Sequence, residues 1–335
     1  MAKPLERQVV VITGASSGVG REAALRFSKK GAAVVLAARD HTALEEVASQ
    51  IRSAGGEVLV VPTDVSRWEE VQNLAQQAIN VFGTIDTWVN DAGISTYGLV
   101  EETPVEEFDK VVQVNLLGTI YGVKAVLPHM RIQGGGTIIN IGSVASERAV
   151  PLLAGYSATK FGVRGFTDAL RLEMQREKTN IKVTLILPAA MNTPFFEHAR
   201  SYMDKEPQPI PPVYNPELAA KAIVYAAQHS RRNIYIGGAS KLFTVMERIS
   251  PSLTDQLMMA GNWIFKAQKD KQPNDRRDTL DAPAEEPGRV HGRYGHITKP
   301  SLYTRLFELT PKWTRLAFPA AVLGSFFFVK RRQES

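Results

Sequence analysis

The sequence predicts a doubly wound α/β fold, a Rossmann-type parallel seven-stranded sheet with helices on both faces. Three observations carry this. Short apolar runs alternate with amphipathic stretches from residue 8 to about residue 237. The runs are apolar throughout rather than alternating, as strands buried on both faces require. The first run ends in a glycine-rich turn that opens directly into a helical stretch, the start of a mononucleotide-binding unit.

Taken in order, QVVVI (8–12) is the first strand and 18–30 the first helix. AVVLAA (33–38), EVLVVP (57–62) and DTWVN (86–90) follow as strands, with helices over 41–54 and 67–82. GTIINIG (136–142), IKVTLIL (181–187) and NIYIG (233–237) complete the sheet, spaced by helices near 104–131, 155–178 and 216–229. Residues 1–238 thus form one α/β domain, and 239–267 a helical extension broken near Ser250-Pro251. Residues 268–300 are polar and rich in Pro, Gly and charge, which reads as a disordered linker. Residues 301–335 form an apolar-basic tail.

Composition narrows the function. The 335 residues are 44% hydrophobic and 22% charged, ordinary for a globular chain. Cysteine is absent, which excludes disulfides, thiolate metal sites and a cysteine nucleophile and fits a reducing cytosol. The net charge of +6 is scattered, with no basic stripe interleaved with aromatics, so nucleic acid is not the expected partner. The six histidines form no metal-ligand cluster, and no metal is expected. The first apolar run, VVVI at 9–12, is too short for a signal peptide, and a cytoplasmic location is expected.

The turn TGASSGVG spans Thr13 to Gly20. Gly14, Gly18 and Gly20 let the backbone approach a pyrophosphate, and the helix N-terminus offers N–H donors and a partial positive charge. At the end of the second strand, Ala37-Ala38 leads to Arg39 and Asp40. No carboxylate ends the strand to select NAD(H). Arg39 is placed to pair with a ribose 2′-phosphate, so NADP(H) is the preferred cofactor, with NAD(H) the alternative. Asp40 is read as a helix cap.

YSATK (156–160) puts a phenol and an ammonium on one helical face, four residues apart. A neighbouring cation favours the phenolate, so the pair has the makings of a tuned proton donor and acceptor.

With the turn, Asp64-Val65, NDAG (90–93), Asn115, Ser143, Tyr156, Lys160, Pro188 and Thr193 in this order, the chain resembles the short-chain dehydrogenase/reductase family. In detail it is similar to a bacterial branch with a C-terminal extension. The resemblance implies an oxidoreductase moving a hydride between nicotinamide and a carbonyl or alcohol. It implies that Tyr156 exchanges the proton, that Lys160 lowers its pKa and binds the nicotinamide ribose, that Ser143 polarises the carbonyl, and that Asn115 anchors a water relay. Ser16, Ser17 and Val19 belong to the implied phosphate turn. Asp64 would bond the adenine with Val65 beside it, Asn90, Ala92 and Gly93 would line the cofactor, and Pro188 and Thr193 would flank the carboxamide. The sequence departs from the family at two places: Asp91 stands where asparagine is usual, and Ala189 where glycine is usual. The resemblance also implies a homodimer or homotetramer.

Residues 194–214 follow the sixth strand, where the family places a mobile lid, and Phe195 and Phe196 are its candidate substrate residues. An apolar carbonyl or alcohol is the expected substrate. Leu316 to Val329 is uncharged and precedes Lys330-Arg331-Arg332. As a helix it would span ~21 Å, short of the ~30 Å hydrocarbon core. Residues 316–332 therefore read either as an anchor on anionic lipid or as a helix docked on protein. Two further readings stay open: a cofactor-binding sensor or scaffold without turnover, and a membrane-associated lipid carbonyl reductase.

Overall fold

The computed structural model describes residues 3–203, 206–260, 268–269, 278–284 and 286–310. Seven strands form the central sheet: β1 (Val9–Thr13), β2 (Ala33–Ala38), β3 (Val58–Pro62), β4 (Thr87–Asn90), β5 (Gly136–Ile141), β6 (Ile181–Pro188) and β7 (Asn233–Ile236). Each lies where an apolar run predicts it. All neighbours pair in parallel, in the spatial order β7-β6-β5-β4-β1-β2-β3.

The apolar runs have a simple cause. Alternate residues of one strand enter different cores. Val10 and Ile12 join Phe27, Leu44, Val47 and Ile223 on one face. Val9 and Val11 join Leu74, Trp88, Val126 and Leu170 on the other. Trp88 belongs to β4; the helices that supply the other partners are α1 (Gly18–Lys29), α2 (His41–Ser53), α3 (Trp68–Phe82), α4 (Val105–Ile132), α5 (Ala154–Arg176) and, after the short α6 (Phe195–His198), α7 (Pro216–Gln228). Asp40 caps α2, its carboxylate accepting the Ala43 N–H at 2.9 Å. Helices α8 (Gly238–Ile249) and α9 (Pro251–Ala260) meet at Ser250-Pro251.

Among the described residues, α4 is the one helix long and apolar enough to cross a membrane. It is a core helix here: Tyr121 packs edge-on against Trp68 of α3, and Val111, Val123 and Val126 are buried. The tail segment 316–332 lies outside the described residues.

The stretch expected as a disordered linker has a definite place where it is described. Residues 278–284 and 286–300 lie against the carboxyl end of the sheet domain. Leu280 and Tyr294 are buried. The Thr279 N–H donates to the His198 carbonyl at 2.9 Å and the Gly292 N–H to the Asn192 carbonyl at 3.1 Å. Thr298-Lys299 pairs with Val213-Tyr214. The backbone thus exchanges water for body partners, and Leu280 and Tyr294 add two apolar anchors.

Strand order reverses between β1 and its neighbours β2 and β4. Ligands of such sheets bind in the crevice outside the carboxyl ends at that switch point.

Candidate active site

The turn after β1 is built by close approach. Gly14 and Gly18 have φ of +73° and +56°, left-handed values that favour glycine. A Cβ on Gly14 would stand 2.8 Å from the Ala92 nitrogen, and one on Gly20 would overlap the Gly14 carbonyl. Thr13 Oγ1 accepts the Asp91 and Ala92 N–H groups at 3.1 and 3.3 Å, tying the ends of β1 and β4 together. The N-terminus of α1 therefore faces the crevice.

A cavity of about 370 Å³ occupies this crevice. Of the predicted cofactor residues, Gly14, Ser16, Ser17, Gly18 and Val19 line it from the turn. Arg39, Asp64 and Val65 line one end; Ala92, Gly93, Pro188 and Thr193 line the middle. Ser143, Tyr156, Lys160, Phe195 and Phe196 line the other end. The glycine cradle, the N–H donors and a flanking arginine fit a nicotinamide dinucleotide.

Three predicted residues stand behind the wall. Gly20 serves helix–strand packing. Asn90 was expected to line the cofactor, but its side chain is buried and holds structure instead. It accepts the Trp88 indole N–H at 2.7 Å and donates to Asn140 Oδ1 at 2.9 Å. Its register opposite Asn140 on β5 turns it into the sheet. Asn115 sits in a π-helical turn of α4 (Gln113–Leu117) and is fully buried. Its amide accepts the Ile94 N–H at 2.8 Å and donates to the Ile94 carbonyl at 2.9 Å and Thr159 Oγ1 at 3.2 Å. The π turn widens the helix so that the amide reaches both the β4 loop and α5.

At the adenosine end, both expected contacts are already engaged. Arg39 donates to the carbonyls of Thr279 at 2.5 Å and Leu280 at 3.4 Å. Asp64 Oδ1 accepts the Ser66 N–H and hydroxyl at 2.9 and 2.7 Å, a local turn.

At the other end, helix α5 begins just after Leu152, whose φ of +67° is strained for a branched residue. Its first turns carry Tyr156 and Lys160. Lys160 is buried, with Nζ donating to the Ile141 carbonyl at 2.8 Å and lying 5.5 Å from the Tyr156 ring centre. Burial pulls its ammonium down to about 8, and the Asp91 carboxylate opposes that. Ser143 caps the short turn after β5 and hydrogen-bonds the Tyr156 phenol. Burial pushes that phenol up to about 12; the Ser143 bond lowers it and Asp91 raises it. This corrects the expected lowering by Lys160: desolvation by burial dominates, and a carboxyl stands nearby.

That carboxyl is the group the motif reading passed over. Asp91 borders the cavity and accepts the Gly20 N–H. Burial pushes it up to about 7, against the pull of Lys160 and of that hydrogen bond. Its only signal in the sequence was the departure from asparagine. Phe195 packs on the Tyr156 ring at 5.3 Å and edge-on to Phe196 at 5.5 Å. Leu153, Tyr97, Ile210 and Met258 complete an apolar wall around them.

Known proteins carry the same organisation. Residues 8–204 match the family model described as short chain dehydrogenase. The uncharacterized oxidoreductase YxnA of Bacillus subtilis is 38% identical over 278 residues, covering 82% of this chain and 78% of that protein. An uncharacterized oxidoreductase of Staphylococcus saprophyticus is 39% identical over 224 residues, 65% of this chain and 89% of its own. Among solved structures, an alcohol dehydrogenase from the archaeon Thermococcus sibiricus, complexed with 5-hydroxy-NADP, superposes with a TM-score of 0.60 at 27% identity. That likeness covers 68% of this chain and 95% of the archaeal one. By its matched motif region and its relatives, the chain belongs to the short-chain dehydrogenase family of oxidoreductases.

Proposed function

We propose that this oxidoreductase interconverts an apolar ketone or aldehyde and its alcohol, prefers NADP(H), and uses Tyr156 as general acid and base. The observation that supports it best is the convergence of the Ser143 hydroxyl, the Tyr156 phenol and the Lys160 ammonium in a cavity that also contains the glycine turn. Nicotinamide, when bound, would supply or accept the hydride.

The residues of the chain then have distinct tasks. Carbonyl reduction builds negative charge on oxygen, and Ser143 and Tyr156 present two hydroxyl donors to it. A phenol held near 12 remains protonated at neutral pH, which is the form an acid needs. Lys160, fixed on the Ile141 carbonyl, keeps a positive charge beside the ring as the proton leaves. Phe195, Phe196 and Leu153 exclude water and favour an apolar substrate. NADP(H) preference rests on Arg39 and on the capping role of Asp40, which leaves no dedicated carboxylate for a ribose 2′-hydroxyl.

The test is NADPH oxidation, compared with NADH, over apolar ketones, aldehydes and quinones. Tyr156→Phe should lower turnover by about 10²- to 10⁴-fold, the usual worth of a positioned proton donor, while nucleotide binding persists. Equal turnover in the two proteins would overturn the role of Tyr156. Bound nucleotide with no turnover in wild type would favour the sensor reading.

A further inference from the structure

The extension does more than follow the sheet domain. Residues 278–284 and 286–294 run along the mouth of the cavity, starting on the loop after β6 at Arg200, passing Arg39 and the phosphate turn, and returning to that loop at Glu197. At the first end, Arg200 pairs with Asp278 at 2.9 Å and with Asp281 at 2.6 Å, and the Arg39 guanidinium holds the Thr279 and Leu280 carbonyls. In the middle, Pro283, Ala284 and Pro287 form part of the cavity wall. Gly288 presses on the phosphate turn: its carbonyl accepts from Arg21, and a Cβ there would overlap the Ser16 carbonyl. The Gly18 N–H, a donor of that turn, is bonded to the Arg289 carbonyl at 2.9 Å.

The far end is latched. Glu197 accepts Arg289 Nη2 at 2.5 Å, and the Arg293 N–H and Nε at 3.0 Å each. The Gly292 N–H and the Tyr294 N–H both bond Asn192, at its carbonyl and its side chain. A Cβ on Gly292 would stand 2.5 Å from the Thr193 carbonyl, and the Tyr294 ring meets Phe196 edge-on. One segment thus touches the predicted ribose reader, the phosphate turn and the substrate loop.

We propose that residues 278–284 and 286–294 are a strap that gates this site, and that it must lift before a nicotinamide dinucleotide can enter or leave. The proposal rests on the reading of the cavity as a dinucleotide site. The closed strap takes the Arg39 guanidinium and the Gly18 N–H, and a cavity of about 370 Å³ remains beneath it for an occupant. Among the described residues the strap's middle is held at the Gly288 and Arg289 carbonyls, while its far end is fixed by one carboxylate gripped by two guanidinium groups. That latch sets how often the strap lifts. It also couples exchange to the substrate loop, because Glu197 and Phe196 belong to that loop and Asn192 lies just before it.

The experiment measures NADPH association and dissociation rates by stopped-flow nicotinamide fluorescence, with full-length wild type, Glu197→Gln, and the double variant Arg289→Ala/Arg293→Ala. Loss of charge-assisted bonds worth about 1.4 kcal/mol should open the latch about tenfold. Association and dissociation rates should both rise about tenfold, with Kd little changed, in both variants. The two variants attack the latch from opposite sides, and a thermal melt shows that each is folded. Unchanged rates would overturn the gate. A rise in association alone would also overturn it, since the strap would then merely compete for the Gly18 N–H. Failure of wild type and both variants to bind NADPH or NADH by calorimetry would instead bring down the dinucleotide reading, and the gate with it.

Discussion

Replacing Asp91 by asparagine should stabilise the protein in alkaline but not in acidic solution. The carboxyl rises from 3.8 in the unfolded chain to about 7 in the fold, chiefly through burial. A folded-state value above the unfolded one means that the protonated form favours folding. That contribution is complete below about pH 4 and is lost as the pH climbs through about 7. The full rise would be worth about 4 kcal/mol. Because Asp91 borders the cavity, water there reduces the penalty to roughly 1–3 kcal/mol. Asparagine keeps an acceptor for the Gly20 N–H and carries no charge to desolvate. Thermal unfolding of Asp91→Asn near pH 8 should therefore rise by on the order of 5 °C. Near pH 5 the gain should be less than half as large, because most of the carboxyl is still protonated in the fold. A lower melting point near pH 8 would refute the reasoning, since it would make Asp91 an ionised partner that stabilises Lys160. An equal gain at both pH values would refute the titration.

Two substitutions probe other parts of the argument. Arg39→Ala should reduce the preference for NADPH over NADH by about tenfold or more in equilibrium titrations, the worth of a charge-assisted pair; an unchanged ratio would mean that Arg39 serves the strap alone. Gly122→Ala places a methyl group against Asn90 Oδ1 and 2.6 Å from the Trp88 indole nitrogen. It should cost about 1–3 kcal/mol in denaturant unfolding, and a neutral effect would show that α4 shifts freely away from β4.

The parts of this protein that were legible in its sequence are those whose physics is local. Each parallel strand faces two cores, so VVVI and AVVLAA are apolar at every position and stand out from their surroundings. The phosphate turn is readable because Gly14 and Gly18 need left-handed backbone within a few residues. Tyr156 and Lys160 are readable because one helical turn joins them. Asn90 was misplaced because its motif says where the chain goes, while its register opposite Asn140 decides where the side chain goes. The phenol was misjudged because a neighbouring lysine is visible in YSATK and the burial of the whole pair is not.

The strap marks the limit of local reading most clearly. Its composition is that of an unfolded linker, and judged on its own hydrophobicity it has no reason to settle. What holds it is complementarity with residues far away in the chain: Arg39, Arg200 and Glu197 meet Thr279, Asp278 and Arg289 across the cavity mouth. Those same partners have roles of their own in the domain. Arg39 follows β2 and is the proposed reader of the ribose, and Glu197 lies in the loop that carries Phe195 and Phe196. A polar segment that satisfies residues of the site becomes part of the site, whatever its own propensity. Under the proposed function Arg39 has two ligands, a ribose phosphate and the strap carbonyls it holds here. On this reading a change at Arg39, which the strand end and the strap share, should move both the NADPH-to-NADH ratio and the exchange rate.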